Sequence, residues 1–579
     1  MKSFLKHVFA TIVGLFIFSI IWVILFFAIV GVAMSGSGAV TVKDNTVFEL
    51  NLKGVLVERS EEDFMNSLMT ELNNAPTQIA LDKIMEGIDK AATNDKIKGI
   101  YIKVDNFSAS FASLQEIYGG LKKFKETGKF IVVYSDYYGN GSYYLSSIAD
   151  KVYMNPQGTL ALTGINISSM FFKGLLDKVG IEMQIFKVGT FKSAVEPFTQ
   201  TSMSEANRLQ LNTYINSIWS EVIDIVAKNR GITSDDINQY ANSGGFLGEA
   251  QATVNQKFID SLVYQSDMKT VLESLAGEGY NTLELKDMSL VAKTEKRSKN
   301  RIAVVYAIGG IDDGSKSGID SEKISKELLK LADDDKIKAV VLRVNSPGGS
   351  AFGSEQIWHS VGVVKAKKPL VVSMGDYAAS GGYYISCQAD RIFAQPTTLT
   401  GSIGIFGIFP NTKGLVDKIG LKFDNVKTNK FSNFGEMYRP MTDEEKAILQ
   451  KYIEQGYNLF TKRCADGRGL SQDSIKAIAE GRIYSGIDAL SLGLVDELGG
   501  LNEAIAFAAQ KANLDSYSIK QYPATKTMME QLTEAFSGSV QERFIKSQLG
   551  ENYQIFEAIK KAQQTSYIQA LMPYTLTVK

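Results

Sequence analysis

The chain has 579 residues, with Lys+Arg 62 and Asp+Glu 63, and 45% of its residues are hydrophobic. This balance lacks the basic surplus of a nucleic-acid-binding protein, so we expect no nucleic-acid partner. The histidines are His7 and His359, and the cysteines are Cys387 and Cys464. They are too few for a disulfide framework, a His/Cys metal cluster or a free choice of base for a Ser-His-Asp triad, so we expect no metal and no cofactor. The length exceeds one hydrophobic core and predicts several domains.

The first predicted element is a membrane anchor at residues 8–34, which contain no charged side chain. As a helix this segment would be about 40 Å long, enough to span a bilayer with some tilt. A secretory signal has an apolar region of only about 7–15 residues, so we favour a retained anchor over a cleaved signal. Residues 1–7 carry Lys2 and Lys6 and should stay in the cytoplasm. The anchor would contact membrane lipid, and in a bacterium the rest of the chain would lie on the periplasmic side of the inner membrane.

After the anchor, the sequence contains one unit twice, because matching segments lie 240 residues apart, as 335 lies from 95. The matches are Asp95–Ile100 with Asp335–Val340, Tyr143-Tyr144 with Tyr383-Tyr384, Ala149-Asp150 with Ala389-Asp390, and Gly174–Gly180 with Gly414–Gly420. A constant offset over so much of the chain indicates one fold repeated. We place the first repeat at 45–290 and the second repeat at 300–505. Residues 506–579 match neither and are expected to be a helical, surface-associated C-terminal extension.

The sequence pattern of each repeat predicts alternating strands and helices in the same order. The predicted strands are 46–52, 99–104, 130–134 and 151–154 in the first repeat, and 301–307, 339–344, 370–374 and 391–394 in the second. A long amphipathic helix follows in each repeat, at 204–228 and 443–463. Capping boxes precede these helices, Ser202 with Glu205 and Thr442 with Glu445. Such alternation is typical of an α/β fold with layers around a largely parallel sheet.

The segment Met374–Ser386, MGDYAASGGYYIS, has Ser380 at its centre, between a predicted buried strand and an apolar helix. A serine at such a junction can lie exposed at a helix N-terminus, where backbone amides favour negative charge. Taken alone, the same residues are more typical of a tight packing corner. The counterpart of Ser380 in the first repeat is Asn140.

A glycine loop, Asn345-Ser-Pro-Gly-Gly-Ser350, also occurs only in the second repeat, where the first repeat has Asp105-Asn-Phe-Ser-Ala-Ser110. The adjacent amides of Gly348 and Gly349 could form an oxyanion hole, since glycine leaves the amides accessible. Ser-Pro-Gly-Gly alone is a common turn. Its occurrence together with Ser380 favours the oxyanion hole.

A serine nucleophile needs a base. The helix after the glycine loop offers His359, which we expect to face solvent or to pack. The first repeat offers Lys192, within Gly189–Phe198, among apolar and small residues, and its counterpart in the second repeat is Ser432. A lysine in such a segment is ordinarily a snorkelling surface residue. However, one repeat has the lysine without the serine and the other has the serine without the lysine, which a single composite site would explain.

Four motifs together resemble the long form of signal peptide peptidase A: MGDYAASGGYY, NSPGG, GTFKSAVEPF and Thr400-Gly-Ser-Ile-Gly404. The resemblance extends from the anchor to about residue 505. That family consists of membrane-anchored serine proteases with a Ser–Lys dyad, built on the α/β fold shared by ClpP and the crotonases. The resemblance implies two tandem domains, with Ser380 as nucleophile, Lys192 as general base and Gly348 with Gly349 as the oxyanion-hole loop.

The same resemblance implies that the substrates are cleaved signal peptides left in the membrane, together with other short or misfolded chains. We expect an apolar substrate groove along Gly401, Ser402 and Ile403, and relatives that form ring-like assemblies favour a homo-oligomer such as a tetramer. Two alternatives stay open. One is a catalytically silent membrane scaffold of the same fold, and the other is a crotonase-like acyl-CoA enzyme, which would need neither the anchor nor a Ser/Lys pair.

Overall fold

The computed structural model describes residues 2–35, 40–59, 77–292, 298–312, 318–524 and 568–571, and, within 2–35, the side chains of 4 and 6–22. The predicted anchor, 8–34, lies inside a helix at Lys2–Ser35. The large apolar side chains along 8–22 are exposed. Over the residues that can be described, no helix combines the length and the apolar character needed to cross a membrane.

Runs of apolar and β-branched residues form the strands. They are β1 (Thr46–Val57), β2 (Gln78–Ala80), β3 (Ile97–Ser108), β4 (Phe130–Gly139), β5 (Lys151–Ala161), β6 (Glu182–Lys187), β7 (Ser261–Leu262), β8 (Asn281–Glu284), β9 (Arg301–Ile308), β10 (Ile337–Ser346), β11 (Gly348–Ser350), β12 (Leu370–Ala379), β13 (Arg391–Ala394), β14 (Leu399–Gly401), β15 (Phe406–Asn411), β16 (Ile483–Tyr484), β17 (Glu497–Leu498), β18 (Ser518–Tyr522) and β19 (Ile568–Leu571).

The helices alternate with these strands. They are α1 (Lys2–Ser35), α2 (Leu81–Thr93), α3 (Phe111–Lys125), α4 (Asn140–Ser146), α5 (Lys173–Val179), α6 (Glu196–Thr199), α7 (Glu205–Arg230), α8 (Ser234–Asn242), α9 (Ala250–Asn255), α10 (Met268–Ala276), α11 (Leu285–Leu290), α12 (Ser321–Asp333), α13 (Ala351–Lys365), α14 (Gly381–Ser386), α15 (Lys413–Lys418), α16 (Asp443–Arg468), α17 (Gln472–Ile478), α18 (Gly486–Ser491) and α19 (Leu501–Lys511).

The first repeat forms a parallel sheet in the order β2-β1-β3-β4-β5-β7, with β8 beside β1. Helices cover both faces, as a parallel sheet requires. On one face, α2, α3 and α7 pack in a large apolar core that includes Phe48 and Ile102. On the other face, α10 packs against Val47 and Tyr134. The prediction of an α/β fold is therefore confirmed for this repeat.

The second repeat forms a sheet in the order β16-β14-β12-β10-β9-β18, with β13 beside β12. The central strands β9, β10 and β12 are parallel. Val340 and Leu342 face a core that includes α16, and Val341 faces α19 on the opposite side of the sheet. This arrangement confirms the α/β prediction for the second repeat and places β10 and β12, which lead into the glycine loop and Ser380, at its centre.

Two details of the sequence analysis are wrong. The cap of α7 is Ser204, whose hydroxyl accepts a hydrogen bond from the Asn207 amide at 3.1 Å, because the residue adjoining the first turn is the one that reaches its third amide. Ser202 is therefore not a cap, whereas Thr442 and Glu445 do form the predicted box.

The described part of the extension beyond α19 is not helical: β18 pairs with β9, and β19 pairs with β11, so that strand edges are covered.

A third sheet joins the two repeats, in the antiparallel order β11-β19-β15-β6. Strand β6 comes from the first repeat and β15 from the second, with Lys187 opposite Phe406 and Glu182 opposite Asn411. The segment that follows β6 carries Lys192. Pairing of β6 with β15 therefore holds this segment against the second repeat.

A buried charge cluster also joins the repeats at Arg343 of β10, whose side chain is fully buried. The guanidinium donates to the two carboxylate oxygens of Glu58 at 2.8 and 3.0 Å, and it lies 2.5 Å from the carboxylate of Glu116. Burial raises the pKa of Glu116 to about 7, against the opposing effect of Arg343. Both glutamates belong to the first repeat, so the cluster ties that repeat to the strand that precedes the glycine loop.

Replacing Arg343 by Met should destabilise the protein, because two carboxylates would stay buried without their cation. We expect the free energy of unfolding, measured by urea denaturation, to fall by about 3–5 kcal/mol. The control is Lys338→Met, an exposed position on the same strand, which should change it by less than about 0.5 kcal/mol. An Arg343→Met protein as stable as the control would show that the cluster does not hold the repeats together.

Candidate active site

Ser380 lies at the turn between β12 and α14, where it is the N-cap of the helix. Its backbone has φ 55° and ψ −113°, a left-handed conformation that non-glycine residues rarely adopt and that is concentrated at functional sites. The Ser380 amide donates to the carbonyl of Gly401 at 2.8 Å, and the Tyr384 amide donates to the Ser380 carbonyl at 2.8 Å. These bonds hold the strained turn in place.

The side chain of Lys192 reaches this turn from the first repeat. Its Nζ lies 2.8 Å from Ser380 Oγ, and it also lies 3.0 Å from the carbonyl oxygen and 3.1 Å from the hydroxyl of Ser402. Lys192 is fully buried, and burial lowers the pKa of its amine well below the usual value. These hydrogen-bond partners are all uncharged oxygens. The site therefore favours a neutral amine, whose lone pair can accept the serine proton.

The segment that carries Lys192 is held from both repeats. The buried side chain of Gln210, on α7, donates to the Phe191 carbonyl at 3.1 Å and accepts from the Ile483 amide at 3.2 Å. The Phe191 amide donates to the carbonyl of Glu480 at 3.0 Å. Gln210 was not among the predicted site residues, although a long polar side chain on the buried face of an amphipathic helix could have indicated it.

The glycine loop packs against the start of α14. Gly348 and Gly349 have φ values of 100° and 152°. A Cβ atom added to Gly349 would lie 2.2 Å from the carbonyl oxygen of Ile311, and one added to Gly348 would lie 2.7 Å from the amide nitrogen of Gly381. Both positions therefore require glycine, and the loop lies directly beside the residue that follows Ser380.

Two backbone amides close to Ser380 differ in their hydrogen-bond partners. The amide of Gly348 already donates to Ser346 Oγ at 3.2 Å. The amide of Gly381 is in the first turn of α14, where a backbone N–H has no acceptor within the helix. Gly381 was not among the predicted site residues, although its position directly after the nucleophile candidate, at a helix start, could have indicated it.

The three predicted groove residues pack around the Lys192–Ser380 pair. The carbonyl of Gly401 accepts a hydrogen bond from the Ser380 amide, and the carbonyl of Ser402 is a hydrogen-bond partner of the Lys192 amine. Ile403 is 1% exposed and packs in the core of the second repeat, so it does not line an open groove. The edge that accepts a further strand lies beyond them, at Phe406 and Gly407 of β15.

The counterparts of the pair in the opposite repeats have other surroundings. The side chain of Asn140 donates to the Gly164 carbonyl at 2.9 Å and accepts from the Thr163 amide at 3.0 Å, so it fixes a loop. Ser432 is exposed, and so is His359 on α13. The structure therefore brings Lys192 of the first repeat together with Ser380 of the second repeat, and each repeat lacks the residue that the other supplies. Across the described ranges, no group of three or more His, Cys, Asp or Glu side chains is placed to hold a metal ion.

The family model described as "Peptidase family S49" matches residues 123–278 and 363–515, one segment in each repeat. The chain belongs to peptidase family S49. The two-part match confirms the tandem duplication, and the model described as "Clp protease" also matches the S49 chain at 302–399, which supports a ClpP-like fold.

Named relatives cover most of this S49 peptidase. "Protease 4" of Haemophilus influenzae is 36% identical, over 85% of this chain and 83% of that protein. "Protease 4" of Salmonella typhi is 34% identical, over 85% and 82%. "Serine protease SPPA, chloroplastic" of Arabidopsis thaliana is 30% identical, over 82% and 70%. The matches thus extend over both repeats, and the chain is a serine peptidase.

Replacing Lys192 by Met should raise the melting temperature, most strongly at neutral pH. Because burial lowers the lysine pKa, the unfolded chain binds a proton that the folded chain lacks between the lowered pKa and about 10.4, so wild-type stability rises with pH in that window. The gain from Lys192→Met should therefore shrink as pH rises through this window. Lys178→Met, at an exposed position, is the control. A gain that is equal at neutral and alkaline pH, measured by differential scanning calorimetry, would contradict a lysine that folds unprotonated.

Proposed function

We propose that this chain is an endopeptidase with a Ser–Lys dyad, in which Ser380 is the nucleophile and Lys192 is the general base. The observation that carries this proposal is the 2.8 Å contact between the buried amine and Ser380 Oγ. A strained serine and a desolvated lysine both cost stability, and such features are concentrated at catalytic sites. A silent scaffold would have no use for either.

The first half of the reaction follows from these contacts. Neutral Lys192 takes the hydroxyl proton of Ser380 while Oγ attacks the carbonyl carbon of a peptide bond. The amides of Gly349 and Gly381 stabilise the negative charge that develops on the carbonyl oxygen. We assign this role to Gly381 rather than Gly348 because the Gly348 amide is bound to Ser346.

The second half returns the proton. The Lys192 ammonium, held by the two oxygens of Ser402, protonates the departing amine, and an ester remains on Ser380. Neutral Lys192 then takes a proton from water, which attacks the ester. The acid product leaves and the Ser380 hydroxyl is restored.

We further propose that the substrates are residual signal peptides and other short or misfolded chains at a membrane. "Putative signal peptide peptidase SppA" of Enterococcus faecium is 30% identical, over 39% of this chain and 69% of that protein. The uncharged sequence of 8–34 and the exposed apolar side chains of 8–22 support attachment to lipid, with the repeats on the extracytoplasmic side. A homo-oligomer, with the tetramer as the first state to test, belongs to the same proposal.

A fluorophosphonate probe should label the wild-type chain at Ser380, because the neighbouring base activates that hydroxyl. Ser380→Ala should abolish both labelling and peptide hydrolysis while folding, followed by circular dichroism, stays normal. Ser432→Ala, at an exposed position of the second repeat, serves as a comparison that keeps the nucleophile and must still be labelled. Hydrolysis at the wild-type rate by folded Ser380→Ala would refute the assignment and favour a different nucleophile.

Lys192→Arg should fail as completely as Lys192→Met, since a guanidinium keeps the charge and cannot act as a base. We expect kcat on a fluorogenic peptide to fall by about 10²–10⁴-fold in both variants. The exposed Lys178→Met is again the matched control. If the arginine variant stayed within a few-fold of wild type, the side chain would supply charge or packing and the dyad mechanism would be wrong.

The pH profile provides an independent test. Activity requires the neutral amine, so kcat/KM should rise with pH through an apparent pKa well below about 10.4, in the direction that burial shifts Lys192. The residual activity of Lys192→Met should lack this rise. A wild-type profile that rises only near the pKa of free lysine would show that the amine is not desolvated during catalysis.

A further inference from the structure

The ladder between β10 and β12 is interrupted just before the catalytic turn. Between Val344 and Ser346 of β10 lies one residue, Asn345, whereas residues 375–377 lie between their partners on β12. A bulge of this kind bends the strand and re-aims the side chains that follow, and bulges are frequent beside active sites. Beyond the bulge, β10 leads to the glycine loop and β12 leads to Ser380. The two parts of the proposed site therefore diverge at this point.

The side chain of Asn345 spans the bulge. Its Oδ1 accepts a hydrogen bond from the Tyr377 amide at 3.1 Å. Its Nδ2 donates to a carboxylate oxygen of Glu58 at 3.0 Å and to one of Asp376 at 3.3 Å. An amide group can do both, because it has a carbonyl acceptor and two N–H donors. The same Glu58 carboxylate binds Arg343, so the bulge is connected to the buried charge cluster.

The carboxylate of Asp376 connects the bulge to the first repeat. Its Oδ1 accepts hydrogen bonds from the Ser113 amide at 3.0 Å and from the Ser113 hydroxyl at 2.8 Å. Ser113 is in the first turn of α3, where a backbone amide has no acceptor within the helix. The side chain of the helix's own N-cap residue, Ser110, makes no capping bond. Asp376 therefore caps α3 from the opposite repeat, where a negative charge is favourable.

The counterparts of these two residues in the first repeat have other partners. Asp136, the counterpart of Asp376, is exposed and accepts hydrogen bonds from two side chains of its own repeat. Asp105, the counterpart of Asn345, forms an exposed ion pair with Lys53. The contacts that bridge the repeats therefore belong to the copy of the fold that carries the serine.

We propose that Asn345 and Asp376 are positioning residues for the dyad. Asn345 fixes the turn that carries the nucleophile relative to the glycine loop. Asp376 fixes that turn relative to the first repeat, which supplies the base. The proposal rests on the dyad function proposed above. A displacement of about 1 Å can reduce a rate on the order of 100-fold, so loss of either contact should lower kcat and leave KM nearly unchanged.

The variant Asn345→Asp makes the role of the amide donor measurable by pH. It introduces a carboxyl group of the same shape, which donates a hydrogen bond only while it is protonated. The charged and titratable groups around this position are Glu58, Arg343, Glu116, Asp376, Tyr377, Tyr214 and Tyr306. Three carboxylates already share one guanidinium there, and burial raises the pKa of Asp376. The same surroundings should raise the pKa of the introduced carboxyl group.

We therefore expect the kcat of Asn345→Asp, divided by that of wild type, to fall as pH rises from about 6 to about 9. Division by the wild-type value removes the titration of Lys192, which acts in the opposite direction. Circular dichroism over the same range shows whether the variant stays folded. A ratio that is independent of pH in the folded variant would overturn the role of Asn345.

Asp376→Asn adds no charge and decides the proposal independently of the first variant. An amide at this position directs its NH2 group either at Ser113 or at Asn345, both of which donate, so one contact is lost. We expect kcat to fall about 10-fold with KM nearly unchanged, as for loss of a hydrogen bond to a charged group. Asp136→Asn, the same change at the exposed counterpart, should alter neither constant. Equal kcat values in the two variants would overturn the role of Asp376.

The rate of labelling by a fluorophosphonate reports on the serine without a peptide substrate. It should fall in parallel with kcat in Asp376→Asn, and labelling at the wild-type rate would overturn positioning of the dyad. Ser380→Ala in the same assays separates the two proposals. An inactive Ser380→Ala beside fully active Asn345→Asp and Asp376→Asn would overturn the positioning role and leave the dyad standing. Hydrolysis by Ser380→Ala at the wild-type rate would overturn both.

Discussion

The structure depends on the burial of one amine against one hydroxyl. Lys192 is fully buried 2.8 Å from Ser380 Oγ, and desolvation is the cause of its lowered pKa. A single repeat does not achieve this, since the amine comes from the first repeat, and the serine and Ser402 come from the second. Much of the remaining architecture serves to bring these two surfaces together and to exclude water between them.

Three sets of contacts hold the repeats in this relation. The β6–β15 ladder positions the segment before Lys192, and Gln210 connects that segment to Ile483. The buried Arg343 cluster ties the strand that leads to the glycine loop to the first repeat. The amine belongs to one repeat and the hydroxyl to the other, so the proposed dyad requires both repeats.

The backbone is strained in the turn at Ser380 and in the segments beside it. Ser380 and Ser402 both have positive φ, as do Gly348 and Gly349. Strain of this kind persists only when the surrounding packing fixes it, and here the completely buried residues Ala378, Ala379 and Leu399 flank the turn. The same rigid frame leaves a slot one strand wide, which the chain fills with its own residues 568–571.

Much of the fold was predictable from the sequence because its signals are local. Apolar runs and the constant offset of the repeats predicted both α/β units, and the box at Thr442 and Glu445 predicted the start of α16. The choice of Ser380 and Lys192 came from comparing the two repeats, with a family resemblance beside it. The start of α7 was misjudged because serines at 202 and 204 offer the same local signal.

The sequence by itself determined the repeat, the order of its elements and the residue types available for chemistry. Only the tertiary structure decided which of them meet: the distance from Lys192 to Ser380, the bond that engages the Gly348 amide, the partners of Arg343 and the strand at 568–571. The reason is physical. Periodicity and capping act over a few residues, whereas most of these contacts join residues more than a hundred positions apart, whose approach is set by sheet pairing and core packing.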